Sequence, residues 1–451
     1  MGIRDNLEEH LEHLKNMTKG EHNFHQAVDE LFDDVIGFVE QNESDYNDQV
    51  INRMLYPDRV INFSVAWVDD EGGLQVNQGW RVQFNNAIGP YKGGLRLHPK
   101  VSLDDFKFLG FEQTFKDALT GLPMGGAKGG SDFNPKGRSN PEIRRFCQSF
   151  MTELSRYIGP DQDIPAGDIG VGGRELGYMF GHYKQLTGKF HGALTGKGPS
   201  FGGSCIRTEA TGYGTVYFLE QVLIDQDEKL KGKRCALSGA GNVSLYCAQK
   251  LIEKEAVVLT LSDSKGVLRC EEGFTQEQIT DLIELKETNH GALKDYKETL
   301  SDTQGLEYTE GGNVWEGDYD IAIPSATQNE VDEAEAEAIV KAGATIMCQA
   351  ANMPCTHAAV EVFKSSDVQN LPSKAVNAGG VAVSGLERAQ NAMGMSWTSQ
   401  RVDDELKSIM KNIVKACQDN GRLEGGKVDY SRGANIAGFK RVYKAMAAYY
   451  G

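Results

Sequence analysis

Residues 233–244 read KRCALSGAGNVS, and this stretch decides the fold. The run KRCAL has the length and apolar content of a short buried strand, and a helical pattern follows the turn SGAG and reaches about Lys254. A strand that enters a G-x-G turn and then a helix is the core of the dinucleotide-binding fingerprint, because the glycines let the backbone approach a pyrophosphate at the positive end of the helix. The third position of the full motif is Ser244, which is small but is not glycine. The predicted pyrophosphate contacts are Ser238, Gly239, Gly241, Asn242 and Val243.

The alternation of strand and helix continues after this turn. The run AVVLTL at 256–261 predicts the next strand, and two further apolar runs, at 319–323 and 344–348, follow helical segments. This rhythm is typical of a doubly wound parallel sheet, and the chain is therefore predicted to be an α/β protein.

An acidic residue follows the second of these strands, where a ribose contact is expected. Asp263 lies 263 − 239 = 24 residues after Gly239, near the ~20 of the fingerprint. An aspartate alone favours NAD, but the polar residues around it could bind the 2′-phosphate of NADP. We therefore predict NADP, with NAD as the alternative. The residues predicted to surround the ribose and its phosphate are Ser262, Asp263, Ser264, Lys265 and Lys286.

The first half of the chain has a different pattern. Residues 1–57 are acidic and helical, and 60–68 and 74–84 alternate as an antiparallel hairpin around the turn DDEGG. Helices are predicted at 103–119 and 141–158, and near the C-terminus at 402–417 and 432–450. The glycine-rich stretch 195–204 predicts a boundary between an N-terminal domain with a mixed sheet, 1–203, and a dinucleotide-binding domain, 204–427.

Three lysines and one aspartate stand in glycine-rich stretches of this first domain. Lys116 and Lys128 belong to GFEQTFKDALTGLPMGGAKGG, Lys92 to GPYKGGLR, and Asp168 to PAGDIGVGGRE. A single lysine is most often a solvated charge, but several on predicted glycine-rich turns indicate a pocket for a small anion. The P-loop pattern G-x-x-x-x-G-K-[ST] is absent, which excludes that class of nucleotide triphosphatase.

Composition excludes other classes of function. The chain has 451 residues and a formal net charge of −17, which argues against binding to nucleic acid or acidic membranes. The eight cysteines are scattered without a C-x-x-C pair and predict buried thiols in a reducing compartment. No signal sequence or apolar stretch of membrane-spanning length is visible, so a cytoplasmic protein is expected. The nine histidines lack a ligand spacing, and no metal is expected.

Specific motifs run from about residue 50 to the end of the chain: GPYKGGLR, GFEQTFK, GGAKGGSDFNPKG, PAGDIGVGGRE, GGSCIRTEATGYG, SGAGNVS, IPSATQNE, QAANMPCT and NAGGVAVSGLE. With these motifs the chain resembles the glutamate dehydrogenases of the short, roughly 450-residue class. That resemblance implies a first domain that binds substrate and builds a homohexamer, a second that binds the dinucleotide, catalysis in the cleft between them, and a last helix, 428–451, that returns to the first domain. It implies reversible reductive amination of 2-oxoglutarate with ammonia to glutamate.

The resemblance also implies roles for individual residues. Lys128 would be the catalytic lysine and Asp168 the proton-transferring carboxylate. The side-chain carboxylate of the substrate would contact Lys92 and Ser384, and its α-carboxylate would contact Gln113, Lys116 and the backbone of Gly167, with Arg207 nearby. The cofactor would be lined by Thr211, Asn242, Ala326, Asn352 and Asn377.

Two other functions fit parts of the sequence. A related dehydrogenase for apolar amino acids is disfavoured because a buried lysine at position 92 would be costly in an apolar pocket. A non-catalytic dinucleotide-binding regulator is disfavoured because both members of the proton-transfer pair, Lys128 and Asp168, are present.

Overall fold

The computed structural model describes residues 2–287 and 291–450, which form two compact units. The first contains the chain up to Arg207 together with Ala382–Val402 and the segment from Asn435 onward; the second contains Thr208–Val381 and Asp403–Ala434. The predicted boundaries differ mainly in Ala382–Val402, which had been placed in the second domain. This segment belongs to the first unit because its side chains bond to residues near 195, as described below.

Residues 2–207 supply six α-helices and a five-stranded sheet. Two short 3₁₀ turns, Glu43–Asp45 and Pro199–Phe201, complete this part. The helices are α1 Ile3–Met17, α2 His22–Gln41, α3 Asp48–Met54, α4 Leu103–Leu119, α5 Asn140–Leu154 and α6 Gly173–Thr187; the strands are β1 Arg59–Val68, β2 Leu74–Asn85, β3 Tyr91–Leu97, β4 Gly126–Ser131 and β5 Asp163–Gly167.

The sheet of the first unit is mixed, with the order β1-β2-β4-β3-β5. The predicted hairpin of β1 and β2 is confirmed, and β3 runs parallel to both β4 and β5. The helix predicted at 103–119 is confirmed, and Ser102 caps it by accepting a hydrogen bond from the N–H of Asp105. The helix predicted at 141–158 spans Asn140–Leu154 instead, and Ile158 reaches the same apolar core from outside the helix.

The glycine-rich stretches around Lys92 and Lys128 were predicted to be turns, and that prediction is wrong: both lysines lie on strands, β3 and β4. The glycines serve close packing. Gly93 has φ +156°, and a Cβ there would lie 1.6 Å from the carbonyl oxygen of Ala127. Glycine therefore lets the strands that carry these lysines pack side by side.

The described residues after 207 supply ten helices and seven strands. Its strands are β6 Arg234–Leu237, β7 Val257–Asp263, β8 Gly266–Cys270, β9 Leu306–Glu310, β10 Ile321–Ile323, β11 Ile346–Cys348 and β12 Gln369–Leu371. A 3₁₀ turn spans Leu293–Asp295. The helices are α7 Ala210–Ile224, α8 Asn242–Glu253, α9 Gln276–Glu287, α10 Tyr296–Thr299, α11 Glu333–Lys341, α12 His357–Lys364, α13 Ser373–Val376, α14 Gly379–Met393, α15 Ser399–Gly421 and α16 Tyr430–Tyr450.

The sheet of the second unit has the order β12-β11-β10-β6-β7-β8-β9. The first five strands in this order, from β12 through β11, β10 and β6 to β7, run parallel to one another. At the other edge β8 pairs antiparallel with both β7 and β9. The chain leaves β6 toward β7 and later returns to β10 on the other side of β6, so that the topology switches between β6 and β10. The predicted doubly wound sheet is confirmed, and a ligand is expected at the carboxyl ends of these two strands.

Candidate active site

Lys128 and Asp168 lie in contact in the first unit. Lys128 comes from β4, and Asp168 follows directly after the end of β5. The Lys128 Nζ donates to Asp168 Oδ1 at 3.1 Å, and Arg96 Nε on β3 donates to Asp168 Oδ2 at 2.6 Å. A Cβ at Gly94 would lie 2.8 Å from the Cβ of Asp168, so glycine at that position leaves room for the carboxylate. Strands β3 and β4 therefore place the two cations Arg96 and Lys128 against the carboxylate of Asp168.

Burial and charge act in opposite directions on this pair. Burial lowers the pKa of Lys128, although the neighbouring Asp168 partly restores it. Burial also disfavours the charged form of Asp168, but Lys128 and Arg96 outweigh it and hold the pKa of this carboxyl at about 2. At neutral pH Asp168 is therefore an anion, beside a lysine that gives up its proton more readily than usual.

Helix α4 carries three polar residues of the site, Gln113, Lys116 and Asp117, within about one turn of each other. Gln113 Nε2 donates to Asp117 Oδ1 at 2.5 Å. Burial, followed by the charge of Lys128, lowers the pKa of Lys116 to about 8. Gln113 and Lys116, which were predicted to bind one carboxylate, thus share a helix face with a buried acid that the sequence analysis did not single out.

Lys92 lies in the interior, with only 1% of its surface exposed. Burial lowers the pKa of its ammonium group to about 7, and the charge of Asp117 opposes that shift. Its strand is held in place by the buried ion pair of Arg81 with Asp163, in which Arg81 Nη1 also donates to the carbonyl oxygen of Gly93 at 3.1 Å. The lysine therefore occupies a fixed position that water barely reaches.

Ser384 enters the first unit from α14. Its Oγ lies 3.3 Å from Thr195 Oγ1, and both side chains are buried. One turn further along α14, Glu387 forms a wholly buried ion pair with Lys197, with Oε1 and Nζ 2.7 Å apart. Glu387 Oε2 also accepts the N–H of Gly196 at 2.9 Å. These bonds join α14 to the 195–197 segment and hold the two hydroxyl groups together.

Arg207 ends the first part of this unit. Its Nε is buried and has no hydrogen-bond partner within the described parts of the chain. Burial lowers the pKa of its guanidinium group, and Glu387 opposes that shift. The preceding residue, Ile206, has φ +61°, a conformation that a β-branched side chain rarely adopts. A buried donor held by a strained backbone is typical of a ligand contact.

In the second unit, the predicted pyrophosphate turn joins β6 to α8 as expected. Gly239 has φ +81°, and a Cβ there would meet Ser244 Oγ at 2.5 Å. Ser238 Oγ accepts the N–H of Ser325 at 2.9 Å, which ties the turn to the residues after β10. Gly241 and Asn242 are exposed at the start of α8, so the N-terminus of this helix is open to a ligand.

The residues predicted near the ribose cluster around the end of β7. Ser262 Oγ accepts the N–H of Gly239 at 2.8 Å. Asp263 accepts the N–H of Lys265 at 3.0 Å through Oδ1 and that of Leu293 at 2.9 Å through Oδ2. Both oxygens of Asp263 are thus engaged by the backbone, while Ser264 and Lys265 are exposed. The remaining predicted cation, Lys286, donates to the carbonyl oxygen of Gly291 at 2.9 Å.

The other predicted cofactor residues lie after strands β10 and β11, at the end of helix α13 and in helix α7. Asn377 Nδ2 donates to Asn352 Oδ1 at 2.8 Å, and its own Oδ1 is buried without a partner in the described chain. Ala326 follows β10, and its N–H donates to Glu330 Oε1 at 2.9 Å. Thr211 lies in the first turn of α7. The orphaned amide oxygen of Asn377 fits a donor on a bound cofactor, such as a carboxamide.

Four residues of this site were missed by sequence reasoning. Arg96 is part of the quoted motif GPYKGGLR, and its nearness to Lys92 was an available signal. Asp117 directly follows Lys116, but an aspartate at that point of a helix usually faces solvent. Glu387 ends the quoted motif NAGGVAVSGLE, but nothing local indicates its role or that of Thr195, because each acquires it from a residue about 190 positions away.

Over residues 2–287 and 291–450, no group of histidine, cysteine, aspartate and glutamate side chains is arranged to hold a metal ion. Over the same ranges, none of the helices combines the length and the apolar character needed to cross a membrane.

Family models and relatives agree on one family. The model described as Glu/Leu/Phe/Val dehydrogenase, dimerisation domain, matches residues 57–185, and that described as Glutamate/Leucine/Phenylalanine/Valine dehydrogenase matches residues 202–449. The chain is 50% identical over 445 residues to a glutamate dehydrogenase of Bacteroides thetaiotaomicron, which covers 97% of this chain and 98% of the relative. It is also 50% identical over 442 residues to the NADP-specific glutamate dehydrogenase of Escherichia coli, with 98% of each chain covered.

Solved structures are similar over the whole chain. The glutamate dehydrogenase of Plasmodium falciparum superposes with a TM-score of 0.96 at 45% identity, covering 100% of this chain and 95% of that one. A hetero-hexameric glutamate dehydrogenase from Thermus thermophilus superposes with a TM-score of 0.80 at 26% identity, covering 92% of this chain and 96% of that one. The chain therefore belongs to the glutamate/leucine/phenylalanine/valine dehydrogenase family, and within it to the glutamate dehydrogenases.

Proposed function

We propose that the protein catalyses the reversible reductive amination of 2-oxoglutarate with ammonia to L-glutamate, with hydride from NADPH and through a 2-iminoglutarate intermediate. The observation that carries this proposal is the contact of Lys128 with Asp168, in a unit that also buries Lys92 and holds Lys116 at a lowered pKa. A dicarboxylate needs positive charge at both ends, and a keto group needs an acid and a base beside it.

The substrate contacts follow from the positions of the polar groups. Lys92 and Ser384 bind the side-chain carboxylate in this proposal, and Arg207 adds a buried N–H nearby. Gln113, Lys116 and the backbone of Gly167 bind the α-carboxylate. Gly167 supports that role because it is the last residue of β5, directly before Asp168.

The chemistry then requires proton transfers at two atoms. Asp168, an anion at neutral pH, accepts a proton from the nitrogen of ammonia as it adds to the keto carbon. Lys128, whose pKa is lowered by burial, polarises the keto oxygen and donates a proton to it, which gives the hydroxyl group of the carbinolamine. Asp168 then returns its proton to that hydroxyl group, which leaves as water, and the amino nitrogen forms the double bond of 2-iminoglutarate. The reduced nicotinamide, when bound, supplies the hydride that converts the imine to the amine.

NADP is the proposed cofactor, with NAD as the alternative. Relatives from several organisms are NADP-specific, and the one from Xylanibacter ruminicola is NAD(P)-specific. The geometry supports a 2′-phosphate because Ser264 and Lys265 are exposed while backbone N–H groups engage both oxygens of Asp263. An aspartate held in this way is less available to a free 2′-hydroxyl group.

A homohexamer in the cytoplasm is the proposed state of assembly and location. The hairpin of β1 and β2 leaves several apolar side chains exposed, including Leu74 at 70% and Val76 at 61%, and such a surface favours contact between subunits. All eight cysteines are free thiols, which supports a reducing compartment.

The test is the absorbance of the reduced nicotinamide, followed with 2-oxoglutarate and ammonia and either NADPH or NADH. We expect oxidation that needs both substrates and is faster with NADPH. Oxidation with a branched or aromatic keto acid in place of 2-oxoglutarate would overturn the substrate assignment and favour a dehydrogenase for apolar amino acids. No oxidation under any of these conditions would favour the regulator.

A further inference from the structure

Glu330 lies in the second unit, in the loop that follows β10. It ends the motif IPSATQNE, and the proposed chemistry gives it no task. Its backbone is fixed on both sides by the loop that follows β11: the N–H of Asn329 donates to the carbonyl oxygen of Met353 at 2.9 Å, and the N–H of Val331 donates to that of Pro354 at 2.9 Å. The side chain of Glu330 therefore extends from a backbone position that a second loop holds in place.

This side chain reaches back to the exposed part of its own loop. Glu330 Oε1 accepts the N–H of Ala326 at 2.9 Å and that of Thr327 at 3.2 Å. Residues 326–329 are exposed, whereas Glu330 is half-buried. Burial raises the pKa of its carboxyl group, and Ser238 and the two N–H groups oppose that rise. One oxygen atom thus binds two neighbouring N–H groups and fixes the backbone just after the carboxyl end of β10.

The position of Ala326 is important because this residue packs on the pyrophosphate turn. A Cβ at Gly239 would lie 3.1 Å from both the Cα and the Cβ of Ala326, so the two residues are in close contact. The preceding residue, Ser325, bonds to Ser238 twice, through its N–H to Oγ at 2.9 Å and through its own Oγ to the carbonyl oxygen at 2.6 Å. The loop after β10 therefore supports the turn on one side, as Ser262 does on the side of β7.

We propose that Glu330 is a positioning residue for the dinucleotide, because it holds Ala326 against the pyrophosphate turn and keeps that turn in its binding conformation before the cofactor arrives. This inference rests on the proposed function, in which NADPH binds with its pyrophosphate at the turn after β6. It adds that the affinity for either dinucleotide depends on a side chain that acts through Ala326. The role requires a hydrogen-bond acceptor of this length rather than a charge, and preorganisation of this kind raises affinity without a new contact.

The first variant is Glu330→Ala, which removes both hydrogen bonds. Binding of NADPH and of NADH is titrated in the absence of substrate by the fluorescence of the reduced nicotinamide. We expect Kd for each dinucleotide to rise by about tenfold or more, the usual effect of losing hydrogen bonds to a charged group. In turnover, KM for NADPH should rise by a similar factor, while kcat and KM for 2-oxoglutarate stay near the wild-type values.

Two further variants separate the reach of the side chain from its charge. Glu330→Gln keeps an acceptor at the same distance, and its Kd for each dinucleotide should lie within about threefold of the wild-type value. Glu330→Asp keeps the charge but is one methylene group shorter, and it should bind as weakly as Glu330→Ala. The control is Glu333→Ala, which removes an exposed carboxylate from the first turn of α11 and should leave both dissociation constants unchanged.

Each outcome decides the inference. Unchanged binding in Glu330→Ala would overturn it, and so would a loss for NADPH alone. Tighter binding would overturn it as well, because the carboxylate would then only repel the pyrophosphate. If Glu330→Ala fails to fold by circular dichroism, Glu330→Asp and Glu330→Gln decide: weaker binding in the aspartate variant supports the inference, and equal or tighter binding contradicts it. A wild-type protein that binds neither NADPH nor NADH would refute the proposed function instead.

Discussion

The ammonium group of Lys128 lies 3.1 Å from the carboxylate of Asp168, and Arg96 holds the other oxygen of that carboxylate at 2.6 Å. An acid and a base are thus in contact before any substrate arrives. Arg96 also fixes the orientation of Asp168, so one Asp168 oxygen is left to face Lys128.

Removal of either member of this pair should abolish turnover. We expect Lys128→Ala and Asp168→Asn each to lower kcat by about 10²-fold to 10⁴-fold, the usual contribution of a positioned acid or base. Binding of NADPH, followed by fluorescence, should be nearly unchanged. The control is Lys100→Ala, an exposed lysine of the same unit. Turnover near the wild-type level in either test variant would contradict the assignment.

Lys92→Leu should change the choice of substrate. Loss of a charged hydrogen-bond donor should lower kcat/KM for 2-oxoglutarate by about tenfold to a hundredfold. Activity toward keto acids with apolar side chains should rise, because a buried charge no longer opposes them. Competition between 2-oxoglutarate and 2-oxohexanoate measures the shift. An unchanged preference would remove Lys92 from the binding site.

The pH dependence of substrate binding follows from the lowered pKa values of two lysines. Burial brings the pKa of Lys92 to about 7 and that of Lys116 to about 8. A lysine is charged below its pKa and neutral above it, so the inhibition constant of glutarate should rise as the pH passes through 7 to 8. Binding that stays constant to pH 10, as ordinary lysines would give, would contradict both shifts.

The wholly buried pair of Lys197 and Glu387 should be important for stability. Lys197→Met leaves the carboxylate of Glu387 buried without its cation, and we expect a loss of about 3–5 kcal/mol in the free energy of unfolding. The control is Lys231→Met, because the Lys231–Glu255 pair is exposed by 67% and 64% and should cost about 1 kcal/mol or less. Denaturant unfolding measures both. Equal losses in the two variants would show that burial does not matter here.

Cofactor preference should depend on Lys265. The Lys265→Ala variant loses an exposed charge beside the proposed 2′-phosphate, and KM for NADPH should rise by about fivefold, with KM for NADH unchanged. Lys231→Ala, another exposed lysine of the same unit, is the control. An equal rise for both cofactors would place Lys265 away from the phosphate.

The helices and strands of this fold could be predicted from the sequence better than the contacts between its side chains. The turn after β6 and the helix α4 were recognised because local spacing determines both. Lys92 and Lys128 were assigned to turns because glycine usually indicates one, whereas here Gly93 permits the close packing of two strands. The contacts of Thr195 with Ser384 and of Lys197 with Glu387 could not be predicted, since residues about 190 positions apart leave no periodicity in the sequence.

The division of the chain has a consequence for its synthesis. The first unit needs Ala382–Val402 and the residues from Asn435 onward, which are synthesised only after Thr208–Val381 of the second unit. The first unit therefore cannot finish folding before most of the second unit has been made, whereas domains made early commonly fold first. Until α14 has emerged, Lys197 has no buried carboxylate to pair with and Thr195 has no partner hydroxyl group. A nascent chain halted near residue 210 would expose this unfinished core, and it is at that stage that we expect a chaperone to be needed most.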